Sequence, residues 1–158
     1  MSRPPRITGF PYTGQYRYFL TFCTFNRCRS FVNADVVATT LQQFRKTALE
    51  EGFELLAYCF MPDHAHLLVE GVSDASDLRR FSKLARQRSG GVHSRRTGRP
   101  LWQEGFYDRV LRDGEDIKNV ARYLLNNPLR AGLVDSPISY PHLGSDRWTL
   151  EELIDAQL

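Results

Sequence analysis

The chain has 158 residues, of which 42% are hydrophobic and 25% charged, with a net charge of +3. That length fits one domain with a real core. No apolar run approaches the roughly 20 residues that a bilayer span needs, and the N-terminal stretch lacks the apolar centre of a signal peptide. Cys23, Cys28 and Cys59 are odd in number and show no Cys-x-x-Cys spacing. This argues against a disulfide framework or a zinc ribbon and for free thiols in a reducing compartment. A cytoplasmic protein with no membrane partner is the expectation.

Residues 1–14, rich in Pro, Gly and Arg, read as a loose arm. Tyr16 to Phe25 is aromatic and β-branched, a good first strand. Asn33 is placed to cap a helix in which Val37, Leu41, Phe44 and Ala48 recur at helical spacing, and Gly52 closes it. Phe53 to Phe60 reads as a second strand, Met61-Pro62-Asp63 as a turn, and His64 to Glu70 as a third strand. Ser73 or Asp74 is the expected cap of a second helix with Leu78, Phe81, Leu84 and Ala85 facing inward. Ser89 to Pro100, which contains His93, reads as a flexible basic loop.

Leu101 to Leu111 is a weaker fourth strand in which Gly105 marks a bulge or break. Asp113-Gly-Glu-Asp opens a third helix with the stripe Ile117, Val120, Ala121 and Leu124, and Pro128 should end it at about Asn127. Residues 135–158 are too few to stand alone and are expected to dock on the core. The order β-α-β-β-α-β plus one further helix predicts an α+β, ferredoxin-like (RRM-like) sheet with helices on one face and a C-terminal helix. One domain over 1–158 accommodates all of it.

Two features carry chemistry. A strand alternates its side chains between faces, so His64, His66, Leu68 and Glu70 share one face, and Ala65, Leu67 and Val69 the other. Two imidazoles on one rigid face can hold a divalent metal, although two hydrogen-bonded surface histidines would look the same. His142 reads as a loop residue. The second feature is charge. Arg79, Arg80, Lys83, Arg86, Arg88, Arg95, Arg96 and Arg99 fall between Leu78 and Arg99 with no acidic residue among them. Such a stripe on a near-neutral chain points to a polyanion, most simply nucleic acid. A solvated helix face followed by a loop is the plainer alternative.

On the third helix, Tyr123 lies roughly 110° from the centre of the apolar stripe, at the boundary of the buried face. Asn119, Tyr123 and Asn127 are spaced by four and form one polar ridge. A tyrosine so placed is ordinarily half-buried packing with a wet hydroxyl.

Three stretches resemble the HUH single-tyrosine transposases, especially the REP-associated tyrosine transposase branch. They are Ala57-Tyr-Cys-Phe-Met-Pro-Asp-His-Ala-His-Leu-Leu-Val69, Leu101-Trp-Gln-Glu-Gly-Phe-Tyr107 and Arg122-Tyr-Leu-Leu-Asn-Asn-Pro-Leu-Arg-Ala-Gly-Leu-Val134. The likeness runs from about Tyr16 to Val134 in the same element order. It implies that His64 and His66 bind a divalent metal, Mg²⁺ or Mn²⁺, that Asn127 is the third ligand, and that Tyr123 is the nucleophile on a C-terminal catalytic helix. Many single-tyrosine transposases carry glutamine at the position of Asn127, and a bulkier residue at that of Ala65.

The implied activity is cleavage and rejoining of single-stranded DNA beside hairpins, at REP-like repeats or element ends, through a 5′-phosphotyrosine link. Such a link conserves bond energy, so rejoining needs no ATP. The basic stripe would hold the DNA backbone with strong salt dependence. The implied setting is a cytoplasmic, nucleoid-associated monomer or homodimer. The alternatives are a non-cleaving nucleic-acid-binding protein derived from a transposase, and a metal-dependent hydrolase in which water attacks and Tyr123 only packs. An RNA-recognition motif fits less well, because the third strand carries histidines where stacking aromatics are wanted.

Overall fold

A computed structural model describes residues 7–154. Strand β1 (Arg17–Cys23) leads to helix α1 (Ala34–Glu51), β2 (Phe53–Met61), β3 (His64–Gly71), α2 (Leu78–Thr97) and β4 (Tyr107–Val110). Helix α3 (Ile117–Leu125), the short α4 (Asn127–Arg130), β5 (Leu143–Gly144) and α5 (Leu150–Ile154) complete the chain. The strands form one antiparallel sheet in the order β4-β1-β3-β2-β5. Its first four strands have the ferredoxin-like order, and the α+β expectation holds.

The sheet divides two cores. Alternation along β1 sends Tyr18, Leu20 and Phe22 under α1 and α2, where they join Phe44, Phe60 and Phe81. Phe44 is sandwiched there between Phe60 and Trp102, with ring centroids 5.9 Å from each. The other face carries Ala57, Cys59, Met61 and Leu68, covered by Ala121, Leu124 and Leu125 of α3 and by Leu143 and Leu153 of the C-terminal segment. That segment is tied down by Arg147 on Glu54 and by the Tyr140 hydroxyl donating to the Phe60 carbonyl.

The helix ends follow local chemistry. The Asn33 side chain accepts from the backbone N–H of Asp35 and Val36, and Gly52 closes α1 at φ 75°. Helix α2 is capped by Asp77, whose carboxylate accepts from the N–H of Arg79 and Arg80, and not by Ser73 or Asp74. The serines of that connection are occupied otherwise: Ser76 Oγ donates to the Gly52 carbonyl at 2.6 Å and accepts from the Ser73 N–H.

The largest departure is the expected basic loop. Helix α2 runs unbroken through Gly90-Gly91 and His93 to Thr97, and Gly98 ends it at φ 71°. Two glycines cost roughly 1 kcal/mol each in a helix interior, but tertiary contacts hold this one. Trp102 Nε1 donates to Ser89 Oγ at 2.9 Å, and a Cβ on Gly90 would already touch the Trp102 ring at 3.5 Å.

The fourth strand shrinks to Tyr107–Val110 because residues 101–103 pair with the end of β1 and the turn after it. Phe25 N–H donates to the Leu101 carbonyl and Gln103 N–H to that of Cys23. Gly105, at φ 77°, makes the predicted break. The arm expected over 1–14 lies partly outside the described residues. Of its described part, Tyr12 is buried and its carbonyl accepts from the Leu78 N–H. Among the described residues, no helix is long and apolar enough to cross a membrane.

Candidate metal and nucleophile site

Strand β3 is central, so the pleat that aims His64 and His66 the same way is held by ladders on both sides. His66 lies opposite Thr21 and Cys59, and His64 opposite Cys23 and Met61. The two rings meet edge to face with centroids 4.7 Å apart.

Each imidazole is oriented through Nδ1. His64 Nδ1 is 2.7 Å from Asp63 Oδ1, and Asp63 also accepts from Arg27 Nε at 3.0 Å. Burial raises the Asp63 pKa, but hydrogen bonds from His64 and Arg27 outweigh it and hold the carboxyl below its usual range. His66 Nδ1 sits 3.0 Å from Thr21 Oγ1. Burial first, then the charges of His64 and Arg130, push His66 down to about 3, so it is neutral across the physiological range.

With Nδ1 engaged, both Nε2 atoms remain for a ligand, the arrangement in which an outer carboxylate or hydroxyl orients a metal-binding imidazole. The turn itself is pinned, because the Asp63 carbonyl accepts from both the N–H and the hydroxyl of Thr24. The donor set therefore fits a divalent cation. Among the described residues no three His, Cys, Asp or Glu side chains converge as a metal site. A third ligand has to be an amide, a water or the substrate.

Asn127 and Tyr123 depart from the uninterrupted ridge that the spacing predicts. Helix α3 stops at Leu125, and Asn127 opens α4 with Pro128 behind it. This is the break expected before proline, one residue pair early. Asn127 Nδ2 donates to the Leu124 carbonyl at 2.9 Å, capping α3, and its Oδ1 has no protein partner among the described residues. Tyr123 is 60% exposed, more than a boundary position.

Arg130, which the sequence reading passed over, stands over the tyrosine ring with its guanidinium carbon 3.8 Å from the centroid. Its Nη2 donates to the Tyr123 carbonyl at 2.8 Å. Its positive charge is the last of the causes that hold His66 neutral, after burial and His64. The spacing of seven, two helical turns, was the available signal.

The basic stripe is elsewhere. Helix α2 buries Phe81 and Ala85 against the sheet face bearing Leu67 and Val69, whereas the histidines share the face of Leu68. Arg80 pairs with Glu51 and Arg88 with Glu50. Arg86 is structural, with its guanidinium donating to the Gly105 carbonyl and lying over the Phe106 ring. Arg79 lies over Tyr12. Lys83, Arg95, Arg96 and Arg99 are exposed, and none has an ion-pair partner among the described residues.

A profile of the family described as "Transposase IS200 like" matches residues 12–127. The chain is 26% identical over 137 residues to a Haemophilus influenzae protein provisionally described as a REP-associated tyrosine transposase, covering 79% of this chain and 77% of that one. It is 25% identical over 115 residues to the REP-associated tyrosine transposase of Escherichia coli, covering 68% and 66%. In fold it is similar to a REP-associated tyrosine transposase solved bound to a REP hairpin, with a TM-score of 0.73 at 19% identity over 90% of this chain and 82% of that one. A Deinococcus radiodurans protein provisionally described as a transposase aligns with a TM-score of 0.55 at 21% identity, covering 76% and 96%.

Proposed function

This chain belongs to the IS200-like transposase family, and on that premise we propose that it cuts and rejoins single-stranded DNA beside REP-like hairpins, using Tyr123 as nucleophile. The observation that carries the reading is the pair His64 and His66 on one sheet face, each fixed through Nδ1 by Asp63 or Thr21. The exposure of Tyr123 on the helix covering that face supports it further.

The Tyr123 Oη attacks the scissile phosphorus, a Tyr–O–P bond forms as the P–O3′ bond breaks, and the phenolic proton leaves to solvent. The departing 3′ oxygen takes up a proton and becomes a free hydroxyl, while the 5′ side stays on the protein. Attack by a 3′-hydroxyl on the same phosphorus reverses the exchange without ATP. His64, His66 and the Asn127 oxygen would hold Mg²⁺ or Mn²⁺, which when bound polarises the scissile phosphate. Neutral His66 keeps its Nε2 lone pair for that role, and Asp63 keeps the proton of His64 on Nδ1. Lys83, Arg95, Arg96 and Arg99 supply positive charge for phosphates on the opposite face.

The test is a panel of end-labelled single-stranded REP hairpins incubated with Mn²⁺ or Mg²⁺ and resolved on denaturing gels. The reading expects a covalent adduct on the 3′-side fragment that needs metal and vanishes in Tyr123→Phe and in His64→Ala/His66→Ala. Cleavage surviving Tyr123→Phe would assign attack to water. Tight hairpin binding without cleavage would leave a DNA-binding module of transposase descent.

A further inference from the structure

The geometry points to Arg130 as a catalytic residue that grips the non-bridging oxygens of the scissile phosphate between Tyr123 and the histidine pair. This rests on the proposed Tyr123 transesterification and adds a residue to it.

Three features of the structure converge on this role. Arg130 covers the tyrosine ring at 3.8 Å and is anchored by one donor, Nη2, to the Tyr123 carbonyl. That contact satisfies one of the unpaired carbonyls in the last turn of α3, and leaves Nε and Nη1 without a partner among the described residues. Second, α3 packs on β2 and β3, and the short α4 that carries Arg130 packs on β2, so Arg130 stands on the sheet face of Cys59 and Leu68 that also bears His64 and His66.

Third, five other arginines around this face are already engaged. Arg17 is on Glu70, Arg27 on Asp63, Arg109 on Glu115, Arg147 on Glu54, and Arg122 on the Leu153 carbonyl and Asn119. Arg130 has no carboxylate partner among the described residues. Nη2 gives one of its two N–H groups to the carbonyl and keeps the other, which is parallel to a donor of Nε or of Nη1, so one edge of the planar guanidinium remains for a phosphate oxygen pair, a fit that a lysine ammonium lacks. As the Tyr–O–P bond forms and the P–O3′ bond breaks, charge builds on those oxygens, and a donor already in place stabilises it without reorganising.

The experiment crosses Arg130→Gln with a substrate whose scissile phosphate is a methylphosphonate, which replaces one charged oxygen by methyl. On the natural hairpin, Arg130→Gln should cut more slowly by about 10²- to 10³-fold, the usual loss of one oxyanion donor, with hairpin affinity little changed. On the methylphosphonate the same substitution should cost much less, and added ethylguanidinium should restore part of the rate on the phosphate only. Arg130→Lys, which keeps the charge but not the fork, should fall between.

Equal penalties on both substrates, or a loss tracking a lowered melting temperature across both variants, would make Arg130 a helix clamp and overturn the inference. In that case a Tyr123-dependent adduct in the wild type leaves the transposase reading standing. A wild type that forms no such adduct on the cognate hairpin overturns both.

Discussion

Asp63→Asn isolates the outer support of the histidine pair. In the wild type the carboxylate accepts from His64 Nδ1 at 2.7 Å and from Arg27 Nε at 3.0 Å. Asparagine keeps the shape and one oxygen but removes the charge. A hydrogen bond to a charged group contributes about 1.5–3 kcal/mol and a neutral one about 0.5–1.5, so His64 loses about 1–1.5 kcal/mol of orientation.

The lost Arg27 ion pair adds little, since that arginine is more than half exposed. The backbone should not move, because Thr24 grips the Asp63 carbonyl and not its side chain. One and a half kcal/mol is roughly tenfold in an equilibrium constant, at the lower end of the 10- to 100-fold usual for outer-shell partners. Mn²⁺ titration by calorimetry at pH 7.5 should therefore show the dissociation constant rising about tenfold with the melting temperature of the metal-free protein nearly unchanged. A folded variant binding Mn²⁺ within twofold of wild type would refute the idea that Asp63 poises His64.

Gly71 passes so close to the backbone of Gly14 that a methyl group there would collide with the Gly14 carbonyl oxygen. Gly71→Ala should destabilise by about 1–3 kcal/mol in urea unfolding, and an unchanged midpoint would contradict the packing of the arm. His66 stays neutral down to about pH 3, while in the unfolded chain it protonates near pH 6.5. The unfolded state thus binds more protons as pH falls below that value, and stability declines by up to about 1.4 kcal/mol per pH unit. His66→Gln should flatten this dependence between pH 7 and pH 5, and identical slopes would argue against a buried neutral imidazole. Arg95→Gln/Arg96→Gln/Arg99→Gln should reduce the slope of log K against log salt on a duplex stem by up to about 2.7, at roughly 0.9 per phosphate contact. No change in slope would remove α2 from the DNA interface.

Local chemistry was legible wherever one residue decides the geometry. Asn33 and Gly52 bracket α1 as read, Gly105 breaks the chain before β4, and the His-x-His alternation put both imidazoles on one face. Readings failed where a distant contact decides. Gly90-Gly91 reads as a loop until Trp102, brought over by pairing with the end of β1, packs on the helix. Ser73 reads as a cap until Gly52 claims Ser76 and the true cap slides to Asp77.

The site shows the same division more sharply. Spacing places Tyr123, Asn127 and Arg130 near one another along the chain, but the break before Pro128 is what lets Asn127 cap α3 while Arg130 folds back over the tyrosine. In a continuous helix Arg130 would stand two turns, about 10.5 Å, beyond Tyr123 along the axis. The eight cations mislead for a related reason. Their run along the chain says that one element is basic, but only the sheet says which side it faces. The register sets His66 on the face of Thr21 and Cys59, while Phe81 and Ala85 dock on the other. Helix α2 therefore cannot present its charge to a phosphate lying beside Tyr123. Charge at that phosphate has to come from the tyrosine's own side of the sheet, where Arg130 lies over the Tyr123 ring and has no carboxylate partner among the described residues.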